Sequence, residues 1–200
     1  TISLNVIGKN YNVIGIDVNF HQSSFDDLKD IRNIADKEQV ARLVRTSRPS
    51  KIYYLAALHH SAEDKTDISD SELLQKSFKI NVESLVYFLE SILKYSPKTR
   101  LFYASSSHIF GDIEREYDKE DSCINPVSFY GITKAAGMFT CRHYRKKYSL
   151  FTSCGIFYNH ESTFRTSNYL SKKIIRGAIN IRDKVQEKLV LGDLSAAVDW

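Results

Sequence analysis

The chain has 200 residues, 42% of them hydrophobic and 26% charged, with 8 Gly and 3 Pro, which suits a packed core and excludes a disordered, collagen-like or disulfide-framed chain. Against 24 Asp+Glu stand 28 Lys+Arg, a net charge of +4 that is too small and too evenly spread to point to nucleic acid. Three cysteines, Cys123, Cys141 and Cys154, show no C-x-x-C pairing, so no metal site and a reducing, cytoplasmic setting are expected; no apolar run reaches the roughly 18 residues of a membrane span, and no basic, apolar leader opens the chain.

Residues 1–8 read as the last turns of a helix, and residues 11–18 (Tyr-Asn-Val-Ile-Gly-Ile-Asp-Val) as a short buried parallel strand ending at Asp17. Residues 37–48 carry Val40, Leu43 and Val44 on one stripe and predict a helix. A strand follows at 51–57. Residues 71–95 predict one long helix, with Leu74, Phe78, Val82, Leu85, Phe88, Leu89 and Ile92 on its apolar face and Asn81 read as a packing residue among them. A strand at 100–105, a helix at 128–148, a strand at 150–158 and a helix at 169–180 complete the series. Strands alternating with helices of this length imply βαβ units and a doubly wound parallel α/β sheet with right-handed crossovers. Such a sheet opens with a strand and a Gly-rich phosphate turn about 20 residues before the ribose-binding acid. Here the acid is present, and the expectation is that the first strand and its glycines are missing from the chain. Asp17 is then either that ribose-binding carboxylate or a solvated turn residue.

The chemistry concentrates at Tyr130-Gly131-Ile132-Thr133-Lys134, where a Tyr and a Lys four apart at the start of a helix point the same way. An ammonium beside a phenol stabilises the phenolate and makes it a usable base. Upstream, the strand 100–105 runs into Ser106-Ser107-His108-Ile109-Phe110-Gly111, a polar stretch at a strand's carboxyl end, where ligands sit in open α/β sheets. Together these residues resemble the short-chain dehydrogenase/reductase superfamily in its extended, nucleotide-sugar-modifying branch.

Further segments are similar to the GDP-mannose 4,6-dehydratase family: Asp30-Ile31, Leu55-Ala56-Ala57-Leu58-His59-His60, Asn159-His160-Glu161-Ser162, Arg165, Lys172-Lys173-Ile174-Ile175-Arg176, Leu191-Gly192-Asp193-Leu194 and Asp199-Trp200. The resemblance implies a Rossmann-type dinucleotide-binding domain over 1–158 and, over 159–200, the beginning of a smaller nucleotide-sugar-binding region. It implies that Tyr130, Lys134, Ser106 and His108 are catalytic. Asp17, Asp30, Ile31, Leu55, Ala56, Ala57, Leu58, His59, Lys134, His160 and Arg165 would line NAD, the preferred cofactor, or NADP. Asn159, Lys173, Leu191 and Gly192 would hold the nucleotide-sugar, GDP-mannose. A homodimer or homotetramer is implied as well.

Two departures stand out. Ser106 replaces the family's Thr and keeps its hydroxyl, and His108 replaces the family's Glu. Val198 stands where the family has an Arg before Asp-Trp. An imidazole exchanges protons near neutrality, so His108 fits a dehydration base; it equally fits an enzyme that keeps only redox chemistry at C4, an oxidoreductase or epimerase. A catalytically silent dinucleotide-binding subunit is the alternative of another class. The basic run 142–147 reads as a solvated helix face and Cys154 as a small buried hydrophobe. His59 and His60 are either loop residues or part of the site.

Overall fold

The computed structural model describes residues 13–16, 21–22, 33–58, 68–111, 122–163 and 169–192. The chain divides into two compact units, Thr1–Ile156 and Phe157–Trp200.

In the first unit, β1 (Gly15–Ile16) pairs antiparallel with β2 (His21–Gln22). This corrects the parallel strand expected over 11–18. No described strand flanks the free edge of the main sheet, and the short Ile14–Ile16 run pairs instead with the chain that follows it, its two isoleucines resting on the core. Helix α1 (Lys37–Ser47) is capped by Asp36, whose carboxylate accepts from the backbone N–H of Glu38 and Gln39 at 2.9 and 3.1 Å. These bonds, that to Gln39 above all, hold the Asp36 carboxyl below its ordinary range. Arg48, in the left-handed region at φ 40°, ends it.

The main sheet has the order β3-β4-β5, with β3 (Lys51–Tyr54) parallel to β4 (Arg100–Ser106), and β5 (Thr152–Phe157) on the other side of β4. Strand β3 stops short of the expected 51–57. Beyond it the Asn81 carboxamide, rather than a neighbouring strand, takes the backbone of Leu58, accepting from its N–H at 2.8 Å and donating to its carbonyl at 3.3 Å.

The expected single helix 71–95 is three pieces: α2 (Asp70–Phe78), a π-helical turn (Lys79–Glu83) and α3 (Ser84–Tyr95). Three successive carbonyls in the turn accept from side chains. Ser84 donates to that of Lys79, Tyr54 to that of Ile80 and Tyr103 to that of Asn81. The wide turn also rotates everything on its N-terminal side, so Ser77 and Asn81 are buried while Phe78, expected inside, is exposed.

Helix α4 (Phe129–Tyr148) begins at Ser128, whose hydroxyl accepts from the Gly131 N–H at 3.1 Å. Two glycines let it lie flat on β4. A Cβ on Gly137 would collide with the Tyr103 hydroxyl, and one on Gly131 would collide with the His108 carbonyl. The core under α1, α3 and α4 is Val40, Val44, Leu85, Leu89, Ile92, Leu101, Tyr103 and Cys141. Tyr54 stacks on Tyr103, with ring centroids 5.9 Å apart, and meets Phe88 edge-on. Cys154, expected inside, is only half-buried on β5, and Arg142, His143, Arg145, Lys146 and Lys147 form an exposed face of α4.

In the second unit, α5 (Leu170–Arg182) folds back on the segment that follows it. Gly177 is packed so closely by Leu189 that a Cβ would meet it at 2.7 Å, and Gln186 donates to the Gly177 carbonyl at 3.3 Å. No helix among the described residues is long and apolar enough to cross a membrane.

Candidate active site

Strand β4 ends in Ala104-Ser105-Ser106, and a 3₁₀ turn, Ser107–Ile109, follows at once because the Ser106 hydroxyl accepts from the His108 N–H at 3.4 Å. The first turns of α4 lie against this strand end through Gly131. That contact brings Tyr130 beside His108, with ring centroids 5.5 Å apart and planes at 84°. One turn along α4, Lys134 is buried to 1% exposure. Its Nζ donates to the Ala104 carbonyl at 2.8 Å and lies 5.1 Å from the Tyr103 ring centroid and 5.6 Å from that of Tyr130. Burial disfavours the charged ammonium and brings its pKa down to about 8.

Asn81 stands behind these residues. Besides holding Leu58, its Nδ2 donates to the Thr133 hydroxyl at 2.9 Å, which donates in turn to the Tyr130 carbonyl at 3.0 Å. One fully buried side chain thus ties the loop after β3, the π-helical turn and the first turn of α4 together. A cleft of about 400 Å³ opens in front, lined among others by Leu58, Ser77, His108, Val127, Tyr130 and Ile132.

Of the residues singled out in the sequence, Tyr130, Lys134, Ser106 and His108 come together here, with Leu58 on the cleft wall. Leu55, Ala56 and Ala57 continue from the end of β3, Leu55 and Ala57 exposed and Ala56 half-buried against the core. Asp17, Asp30, Ile31, His59 and Arg165 lie outside the described residues, as do His60, Asp193 and Asp199-Trp200. Asn159, His160, Lys173, Leu191 and Gly192 belong to the second unit. There the His160 Nδ1 is 3.0 Å from the Tyr158 carbonyl and its ring is 5.6 Å from Phe157, and Lys173 is half-buried in the first turn of α5. Among the described residues no cluster of His, Cys, Asp or Glu could hold a metal ion.

Asn81 and Thr133 escaped the sequence reading. The signal was an Asn sharing a helix face with Leu85 and Phe88, because a carboxamide on a core-facing stripe must find partners and so organises whatever backbone it meets.

The fold that carries this site is similar to that of known proteins. The UDP-glucose 4-epimerase of Thermus thermophilus in complex with NAD superimposes with a TM-score of 0.61 at 25% identity, over 76% of this chain and 47% of that one. The structure of RMD from Pseudomonas aeruginosa complexed with NADPH has a TM-score of 0.67 at 15% identity, over 77% of this chain and 51% of that one. In sequence, GDP-mannose 4,6 dehydratase 2 of Caenorhabditis elegans is 29% identical over 170 residues, which are 84% of this chain and 43% of that protein. The chain spans less than half the length of the curated relatives it matches. The model of one family, GDP-mannose 4,6 dehydratase, matches it from residue 5 to residue 200, through the Tyr130 to Lys134 helix, the strand end it lies on and the segment around Asn159, and so the chain belongs to the GDP-mannose 4,6 dehydratase family.

Proposed function

We propose that this chain carries the dinucleotide side, and the beginning of the sugar side, of an NAD(P)-dependent hydro-lyase that converts GDP-mannose to GDP-4-keto-6-deoxymannose. The observation that carries the reading is the convergence of Tyr130, Lys134, Ser106 and His108 at the carboxyl end of β4. These residues suit a nicotinamide and its ribose. Lys134 supplies donors beside the Tyr130 ring, and the chain leaving β3 borders the same cleft at Leu58. When bound, the dinucleotide supplies a hydride acceptor at the first step and a hydride donor at the last.

Ser106 holds the C4 hydroxyl of the sugar while the Tyr130 phenolate takes its proton, and the Lys134 ammonium stabilises that phenolate. Oxidation to the ketone makes the C5 proton acidic. His108 removes it and protonates the C6 hydroxyl, which leaves as water across C5 and C6. Lys173 is the candidate for the nucleotide diphosphate, and Asn159, Leu191 and Gly192 are further candidates for the nucleotide-sugar.

A product NMR spectrum after incubating full-length protein with GDP-mannose and NAD or NADP tests the reading. In deuterium oxide the expected product carries solvent deuterium at C5. His108→Glu should keep elimination, whereas His108→Ala should stop it and leave reduced dinucleotide. His108 in place of the family's Glu also favours a second reading, a C4 oxidoreductase. A wild type that accumulates reduced dinucleotide and a 4-keto sugar with its C6 hydroxyl intact would establish that reading and exclude dehydration.

NAD is the expected partner in preference to NADP because of Asp17. A carboxylate about 4 Å from a 2′-phosphate costs on the order of 4 kcal/mol at an effective dielectric of 20, before screening. Titration of each dinucleotide by fluorescence quenching measures this, and tighter NADP binding would remove Asp17 from the ribose.

A further inference from the structure

Ser105 is buried to 3% exposure, and its hydroxyl has no hydrogen-bond partner among the described residues. A buried hydroxyl without a partner forfeits its solvation and gains nothing in return. Its position in the register is informative. Leu101, Tyr103 and Ser105 share one face of β4, and Tyr103 on that face meets α4 at Gly137. Strand β4 and α4 run in opposite directions here, since Gly131 touches His108 beyond the strand's end. Two residues along β4 therefore correspond to about one turn back along α4, which places Ser105 over the turn that carries Thr133 and Lys134. The Lys134 ammonium has three protons, of which one goes to the Ala104 carbonyl.

We infer that Ser105 is a positioning residue for Lys134, its hydroxyl accepting from the ammonium through one water and holding Nζ toward Tyr130. The inference rests on the role given to Lys134 above, but its test is made on stability and is independent of turnover. The titratable groups around Lys134 are Tyr103 on β4, Tyr130 on its own helix and His108 against Tyr130. Tyr54 on β3, and Cys141 and Cys154 on α4 and β5, lie beyond Tyr103.

The experiment is a double-mutant cycle in the full-length protein, read as Tm. Ser105→Ala should lower Tm by roughly 2–4 °C in the wild-type background, Ser105→Thr should restore it, and the loss should vanish in the Lys134→Met background. The same loss, followed by pH in the wild-type background, should be present at pH 7 and fade as pH rises through about 8, where the buried lysine of the folded chain gives up its proton; this arm stands even if Lys134→Met fails to fold. In activity, Ser105→Ala should move the alkaline limb of the kcat/KM profile to lower pH. An unchanged or raised Tm for Ser105→Ala would show a hydroxyl that serves nothing, and an equal loss in both backgrounds would show packing alone. Either outcome overturns the inference. A cycle that holds while no dehydratase activity is found would leave the Ser105–Lys134 pairing standing and refute the reaction instead.

Discussion

Tyr130→Phe is expected to lower turnover by about 10²- to 10⁴-fold, the range a positioned acid–base group contributes, with dinucleotide affinity nearly unchanged. The variant removes one oxygen and keeps the ring. The ring makes the packing contacts, edge-on to His108 at 5.5 Å and beside the Lys134 ammonium at 5.6 Å, so Phe leaves the shape of the site intact. What disappears is the group proposed to take the C4 hydroxyl proton. Turnover should fall with little change in substrate binding, the signature of an interaction made in the transition state. Steady-state kinetics together with a dinucleotide titration separate the cases. Undiminished turnover would assign the proton transfer to another residue, and a large loss of dinucleotide affinity would mean that the ring does not keep its place.

The convergence of the residues proposed to carry this chemistry was legible because their spacing is local. Tyr130 and Lys134 are one helical turn apart, and Ser106 and His108 follow a short run with Leu101, Phe102 and Tyr103 that ends where a parallel strand must end. Helix periodicity likewise marked α1 and α4 within a residue or two of their bounds. The reading failed where a residue's partner is remote in sequence. Asn81 looked like packing because Leu58 and Thr133, which it joins, are 23 and 52 residues away. The π-helical turn was invisible for the same reason. Hydroxyls from Tyr54 and Tyr103 on two strands satisfy its carbonyls, and no 3.6-residue pattern contains that information. Residues 11–18 misled in the opposite direction, since a β-branched run states that a strand is favoured and not which strand it pairs with.

Lys134→Met is expected to abolish turnover and, at pH 7, to stabilise the fold. In the wild type a charged ammonium is buried to 1% exposure, and burial lowers its pKa from 10.5 to about 8. Between these two values the unfolded chain binds the proton and the folded chain does not, so stability rises with pH across the window from about 8 to 10.5. Below that window both states are charged and the folded state carries the whole cost, about 3 kcal/mol at 1.36 kcal/mol per unit. Methionine, similar in shape and uncharged, escapes it, while leaving the Ala104 carbonyl without its partner costs about 1 kcal/mol. The net expectation is a variant roughly 2 kcal/mol more stable than the wild type near pH 7, with the gap closing as pH rises and reversing slightly above 10.5. Catalysis moves the other way, because the wild type should lose activity above about pH 8 as the ammonium proposed to stabilise the Tyr130 phenolate is deprotonated. Denaturant unfolding of both proteins at pH 7, 9 and 11, beside the wild-type pH–rate profile, reads the two trends. A gap that stays constant with pH would mean that Lys134 keeps its proton on folding, and the protein would then bear its charge at the strand end without sacrificing stability for it.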